Sequence, residues 1–215
     1  MVLEGQRLLM QLALWGIKPL ELYLSKLDDK LKAEQTYLLK PQEMERICSS
    51  DTPPEIAGLY PLPVPKVTKF SQALYLEDIA DPGNLGTIFR IASAFGIDCL
   101  LLSPQCCEVS SPKVIRASLG AVYAVPYQIG ELSELLLPGT KLVSLLMDGK
   151  IALQDYIPGA EATVFALGNE AHGLSTETIS RADESIRITI SGGMESLNAA
   201  VCAGIVCHHL SCLPK

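Results

Sequence analysis

At 215 residues, 48% hydrophobic and 19% charged, the chain has the composition of a globular protein, with room for one large domain or two modest ones. No apolar run reaches the roughly 18 residues of a bilayer span, and Met1-Val2-Leu3-Glu4-Gly5 lacks the basic start and apolar core of a secretory signal. A cytoplasmic protein with no membrane partner is therefore expected, and its net charge of −7 argues weakly against nucleic acid, whose phosphates are met by Lys and Arg.

The N-terminal part reads as a helix over 4–14, a strand over 20–24, a strand over 37–39 and a helix from Pro41 to Ile47, with proline at its first turn. Pro53, Pro54, Pro61, Pro63 and Pro65 then crowd together, which predicts an extended linker over 53–69 between a small domain (1–52) and a larger one (70–215). In the larger part, apolar runs at Ala73–Leu76, Cys99–Leu102, Leu142–Met147, Thr163–Leu167 and Ile186–Ile190 read as strands buried on both faces. Helices are predicted over 85–95, 113–124, 175–182 and 196–210. This alternation implies an α/β domain whose mostly parallel sheet is flanked by helices, preceded by a small α+β domain. The last helix is apolar nearly all round, so core packing is expected, with a subunit interface as the second reading.

Charge is divided unevenly between the two parts. Residues 1–69 hold nine Lys/Arg and nine Asp/Glu, whereas the other 146 hold eight and fifteen, so the whole acidic excess lies in the larger part. Net charge does not decide whether a local basic patch exists. The seven cysteines (Cys48, Cys99, Cys106, Cys107, Cys202, Cys207, Cys212) form no C-x2-C pair, so reduced thiols are expected and a metal site is not.

Polar residues interrupt the apolar pattern at three places, each just after a strand: Asp81-Pro-Gly-Asn-Leu-Gly86, Gly168-Asn-Glu-Ala-His-Gly173 and Ser191-Gly-Gly-Met-Glu-Ser-Leu-Asn198. Open α/β sheets bind ligands outside the carboxyl ends of their strands, so the three loops are expected to share one pocket. Each has a plainer reading: Asn84 and Ser196 as helix caps, Gly168 and Gly173 as suppliers of unusual backbone angles. The order G-x-x-x-x-G-K-[ST] is absent, as is G-x-G-x-x-G after the first strand, which excludes the usual triphosphate and dinucleotide loops. No G-x-S-x-G elbow is present either.

Three stretches resemble, in order and spacing, the motifs of the SpoU (TrmH-type) RNA ribose 2′-O-methyltransferases of the SPOUT superfamily. They are Asp81-Pro-Gly-Asn-Leu-Gly-Thr-Ile-Phe-Arg-Ile-Ala-Ser-Ala-Phe-Gly96, Phe165-Ala-Leu-Gly-Asn-Glu-Ala-His-Gly-Leu-Ser175, and Ile188-Thr-Ile with Glu195-Ser-Leu-Asn-Ala-Ala-Val201. Val114-Ile-Arg-Ala-Ser-Leu-Gly-Ala121 is similar to a further family segment. The chain departs from the pattern at Thr189, where the family usually has proline, and at Ile91, where it has threonine. The N-terminal part resembles the family's small RNA-binding domain, and its opening lines up with a segment that basic residues often precede.

The resemblance implies a C-terminal trefoil knot, which topology rules alone would exclude, and a homodimer. It implies S-adenosylmethionine as methyl donor, no metal, and structured RNA as acceptor, ribosomal RNA ahead of transfer RNA. By the same resemblance Arg90 acts on the 2′-hydroxyl, with Asn84, Glu170, Ser196 and Asn198 completing the polar site. Leu167, Gly168, Asn169, Gly173, Ile188, Ile190 and Leu197 are the residues implied to hold the donor. The alternative reading is an RNA-binding relative of the same fold without catalysis. For Glu170, pairing with Arg90, orienting it and capping a turn all stay open, and His172 has no assigned role.

Overall fold

The computed structural model describes residues 1–26, 31–50, 52–66, 69–192 and 196–213. The chain divides into two compact units, Met1–Val64 and Pro65–Lys215.

In the first unit, β1 (Val2–Glu4), β4 (Ile56–Leu59), β2 (Glu21–Leu24) and β3 (Gln35–Leu38) lie in that order in one sheet. All neighbours are antiparallel except β2 and β3. Helix α1 (Gln6–Leu14) starts one residue after β1, and Gly5, at φ 94°, makes that abrupt turn possible. Leu8, Leu9 and Leu12 of α1 are buried, as are Leu22, Leu24, Ile56 and Met44, the last from α2 (Pro41–Ile47).

Strand β4 corrects the expected linker. Residues 53–69 were predicted to be extended and unpaired, but Ile56-Ala-Gly-Leu59 is proline-free and pairs on both sides. Pro54 and Pro61 flank the strand without entering it, so no ladder donor is lost. The compact unit accordingly reaches Val64, past the expected boundary at 52.

The second unit is built on seven parallel strands in the order β7 (Tyr127–Ile129), β6 (Cys99–Leu102), β5 (Gln72–Leu76), β10 (Thr163–Leu167), β8 (Lys141–Leu145), β11 (Glu184–Arg187) and β9 (Ile151–Ala152). Every residue of β6 and of β10 is buried. Strand β10 enters between β5 and β8, and β11 between β8 and β9, so each takes a place between strands that precede it in the chain.

Helix α3 (Pro82–Phe95) packs on α4 (Pro112–Ala117) and on α7 (Ala199–Cys212). A side chain at Gly86 would meet the Val114 carbonyl oxygen and the Ala117 methyl, so glycine permits the α3–α4 contact. The helix predicted over 113–124 stops early. Leu119 (φ 51°) and Gly120 (φ 81°) turn the chain before a short 3-10 turn at Ala121–Tyr123. Three short elements of this unit have no counterpart among the predicted ones: β7, of three residues, β9, of two, and α5 (Leu132–Leu135), of four. The strand predicted over 186–190 lies instead at Glu184–Arg187, which leaves Ile188 and Ile190 beyond its end. No helix among the described residues is long and apolar enough to cross a membrane, and none of the seven cysteines is paired.

Candidate active site

The three polar loops follow β5, β10 and β11 at the carboxyl edge of the seven-stranded sheet. In the first, Asp81 caps α3 by accepting the Asn84 amide at 2.9 Å, with Pro82 in the first helical position. That amide is the main reason the exposed Asp81 carboxyl is held below its ordinary pKa, with Lys113, at 3.6 Å, adding to it. This corrects the reading of Asn84 as the cap. Because Asp81 serves the helix, the Asn84 side chain is left to reach other loops.

It does so in two directions. Asn84 Nδ2 donates to Glu170 Oε1 of the second loop, and Asn84 Oδ1 accepts from Asn198 Nδ2 of the third at 2.9 Å. Asn198 caps α7, its Oδ1 accepting from the amides of Ala200 (2.9 Å) and Val201 (3.3 Å). Ser196 is therefore not the cap, and α7 begins at Ala199 rather than at 196. Glu170 Oε1 also accepts from the Ala199 amide at 3.4 Å, which sets a carboxylate at the positive end of a 14-residue helix. So Glu170 neither pairs with Arg90 nor caps a turn: it joins α3 to the start of α7.

The second loop folds back on itself. The Gly173 amide donates to the Asn169 carbonyl at 2.8 Å, and Asn169 Oδ1 accepts from the Ala171 amide at 2.7 Å. A Cβ at Gly168 would coincide with the backbone of Gly173 and Leu174, so only glycine fits there. Asn169 Nδ2 donates to the Asp78 carbonyl at 2.8 Å, tying this loop to the end of β5.

The second and third loops bound a cavity of about 450 Å³; the first, expected to share it, supplies none of its lining among the described residues and is joined to the other two through Asn84. The seven residues expected to hold the donor (Leu167, Gly168, Asn169, Gly173, Ile188, Ile190 and Leu197) all line it, and so do Glu170, His172 and Ser196. Asn84, Arg90 and Asn198 do not. Arg90 lies on α3, exposed, with no hydrogen-bond or ion-pair partner among the described residues. Gly193, Met194 and Glu195 of the third loop lie outside the described residues.

A further wall escaped sequence reading. Leu145, Leu146, Met147 and Asp148 line the cavity, because β8 ends at Leu145 and not at Met147. Its apolar composition hid the loop inside the predicted strand. Gly149 was the available signal: a side chain there would overlap the Ile186 backbone. Arg187 holds the same loop from outside, donating to the carbonyls of Gly149 (2.6 Å) and Lys150 (3.0 Å). Ala171, Leu174, Ile179, Ala199 and Cys202 complete the lining; burial, then the Glu170 charge, raises the Cys202 pKa.

Among the described residues, the lining holds two carboxylates, Asp148 and Glu170, and neither lysine nor arginine. A pocket of this size is within the usual range of about 300–1,000 Å³ for small-molecule sites. Its charge suits a cation and disfavours a phosphorylated ligand.

The profile of the SpoU rRNA Methylase family matches residues 71–208. The chain belongs to this family. The 23S rRNA (guanosine(2553)-2'-O)-methyltransferase RlmP of Bacillus subtilis is 29% identical over 180 residues, covering 82% of this chain and 72% of RlmP. Rather more than half of the zebrafish (Danio rerio) mitochondrial rRNA methyltransferase 3A is spanned: 25% identity covers 95% of this chain and 62% of that protein. Among solved structures, an assigned TrmH-family RNA methyltransferase from Porphyromonas gingivalis superposes with TM-score 0.83 and 26% identity over 97% of this chain and 88% of that one. The AdoMet-bound rRNA methyltransferase of Sinorhizobium meliloti shares the fold, with TM-score 0.82 at 23% identity over 97% and 85% of the two chains.

Proposed function

We propose that this SpoU-family chain transfers a methyl group from S-adenosylmethionine to a ribose 2′-hydroxyl of structured RNA. The observation that carries the reading is the acid-lined cavity walled by the second and third motif loops and the loop after β8, with neither lysine nor arginine among the described residues of its lining. It suits a donor that is a sulfonium cation with an apolar-faced purine. Leu146, Ile188 and Leu197 offer apolar surface to the purine, Glu170 and Asp148 offer negative charge, and the Gly168 backbone lies where no side chain fits. When bound, S-adenosylmethionine brings a methyl group already activated by its sulfonium charge.

What the chain must add is alignment and stabilisation of the oxygen that attacks, because a ribose hydroxyl is a very weak acid. Arg90 supports that role: it is an exposed cation without a partner among the described residues, on the helix whose first turn carries Asn84. A guanidinium keeps its proton in proteins, so Arg90 acts by holding the ribose and its phosphate and by favouring the alkoxide, rather than as a base. Asn84, Glu170 and Asn198 act by fixing the relative positions of the three loops. Ser196, on the cavity wall, completes the polar site.

Ribosomal RNA is the proposed substrate, supported by the activity named for RlmP. A homodimer is proposed as the working form, supported by Phe95, Ile190 and Val201, which remain 36%, 39% and 49% exposed. A C-terminal knot is supported by the insertion of β10 and β11 between earlier strands. The seven unpaired thiols support a reducing, cytoplasmic setting.

The test is donor calorimetry followed by methylation of ribosomal RNA with and without a 2′-deoxy target. One-site donor binding with turnover abolished by 2′-deoxy substitution is the expected result. Turnover on the deoxy target would overturn the ribose assignment.

A further inference from the structure

Glu77 and Asp78 follow β5 and do not line the cavity, yet they take hold of both ends of the loop that forms its main wall. Glu77 Oε2 accepts from the Ser175 amide at 2.8 Å, and Oε1 accepts from the hydroxyls of Ser175 and Thr178, each at 2.8 Å. One carboxylate thus gathers three donors at the start of α6 (Thr176–Arg181), about a hundred residues away in the chain. At the other end, the Asp78 carbonyl accepts from Asn169 Nδ2 at 2.8 Å.

Asp78 itself is held in an uncommon conformation, with φ 59°. Its amide donates to Ser103 Oγ at 2.9 Å, and its Oδ1 accepts from the same hydroxyl at 2.7 Å. Ser103 is almost fully buried just after β6, so the strained residue is pinned to the core of the sheet. Between the two anchors, Glu170–Leu174 run along the cavity wall.

We infer that Glu77 and Asp78 are positioning residues for donor binding: they stake both ends of the 169–175 loop and so preform the wall against which the methyl donor lies. The inference rests on the donor reading above. A loop ordered before binding has less conformational freedom to lose when the ligand arrives, so the gain appears as affinity. Glu77 carries the larger share, because its carboxylate takes three donors at once, whereas Asp78 contributes through a main-chain carbonyl.

The test compares the wild type with Glu77→Ala and Glu77→Gln by two measurements. In the ligand-free protein, amide hydrogen exchange of residues 170–174 should rise on the order of tenfold in Glu77→Ala, with the amides of β5 and β10 unchanged. Calorimetry with S-adenosylmethionine should then show Kd raised on the order of tenfold at unaltered stoichiometry. Glu77→Gln should recover part of both, since its amide oxygen still accepts. A purely structural role would instead lower the stoichiometry, as unfolded protein accumulates, and leave Kd as it was. Unchanged exchange in residues 170–174 would overturn the inference whether or not the donor binds. Failure of the wild type to bind donor, with exchange altered as expected, would overturn the donor reading while the clamp stands.

Discussion

The two units bury their sheets differently. In Met1–Val64, β2 alternates between half-buried and buried residues and β3 is exposed at all four positions. In Pro65–Lys215, β6 and β10 are buried throughout, and polar residues gather where those strands end. A half-solvated sheet mixes polar and apolar residues along every strand, so no single polar residue there marks a site. A sheet covered on both faces excludes polar residues from its strands, so those at its carboxyl edge stand out. The contrast predicts that changes at this edge of the second unit alter chemistry and donor affinity, whereas changes in the core of the first alter stability and leave donor affinity as it was.

The largest effect is expected at Arg90. Arg90→Gln should lower turnover on ribosomal RNA by about 10²–10³, the usual cost of removing one charge-stabilising donor. Donor affinity should be unaltered, because Arg90 does not line the cavity. Near-normal turnover in steady-state assays would remove Arg90 from the mechanism, and a matching rise in donor Kd would move it to the donor wall.

Next comes Gly168. Gly168→Ala should weaken donor binding by about tenfold or more, some 1.4 kcal/mol, because the added methyl must displace the Gly173 backbone. Gly96 is the control: its φ is 72°, but open space surrounds it. Gly96→Ala should cost only about 1–2 kcal/mol of backbone strain, seen as a lower Tm, with donor Kd unchanged. Equal Kd values for the two variants would show that the loop does not shape the donor site.

Much of this was legible in the sequence, for identifiable reasons. Cys99–Leu102 and Thr163–Leu167 read as strands at their exact limits because burial on both faces leaves uninterrupted apolar runs. Asn84, Glu170 and Asn198 stood out by polarity, but not what they do. Their partners lie 86 and 114 residues apart, and pairing at that separation depends on strand order. Leu146 and Met147 were hidden because an apolar loop after a buried strand looks like more strand. Glu77 was overlooked for the opposite reason: a lone carboxylate at a strand end is common. Strand β4 was masked by the prolines on either side of it.

In the first unit, Leu22→Ala should destabilise by about 2–5 kcal/mol in urea denaturation, the range for a fully buried leucine, because Leu22 is completely inaccessible in β2. Donor Kd should be unchanged. A shift in Kd would break the proposed division between the units.

The smallest expected effect concerns acid stability. Glu4 accepts from the Ser49 amide (2.6 Å), the Ser49 hydroxyl (2.8 Å) and the Ser50 hydroxyl (2.5 Å). Partial burial pushes its carboxyl pKa up, but the hydrogen bonds from Ser50 and Ser49 outweigh it and leave the pKa below the ordinary 4.5. A group whose pKa falls on folding stabilises the folded state above its unfolded value and loses that contribution as pH drops through the folded one. Glu4 therefore adds to the stability of the first unit above about pH 4.5 and ceases to do so at lower pH. In Glu4→Gln, urea denaturation at neutral pH should show reduced stability, and the gap from wild type should close on acidification. A gap that stays constant across this range would mean that Glu4 acts through packing and shape rather than charge, and the acid sensitivity of the first unit would then have to come from other carboxylates.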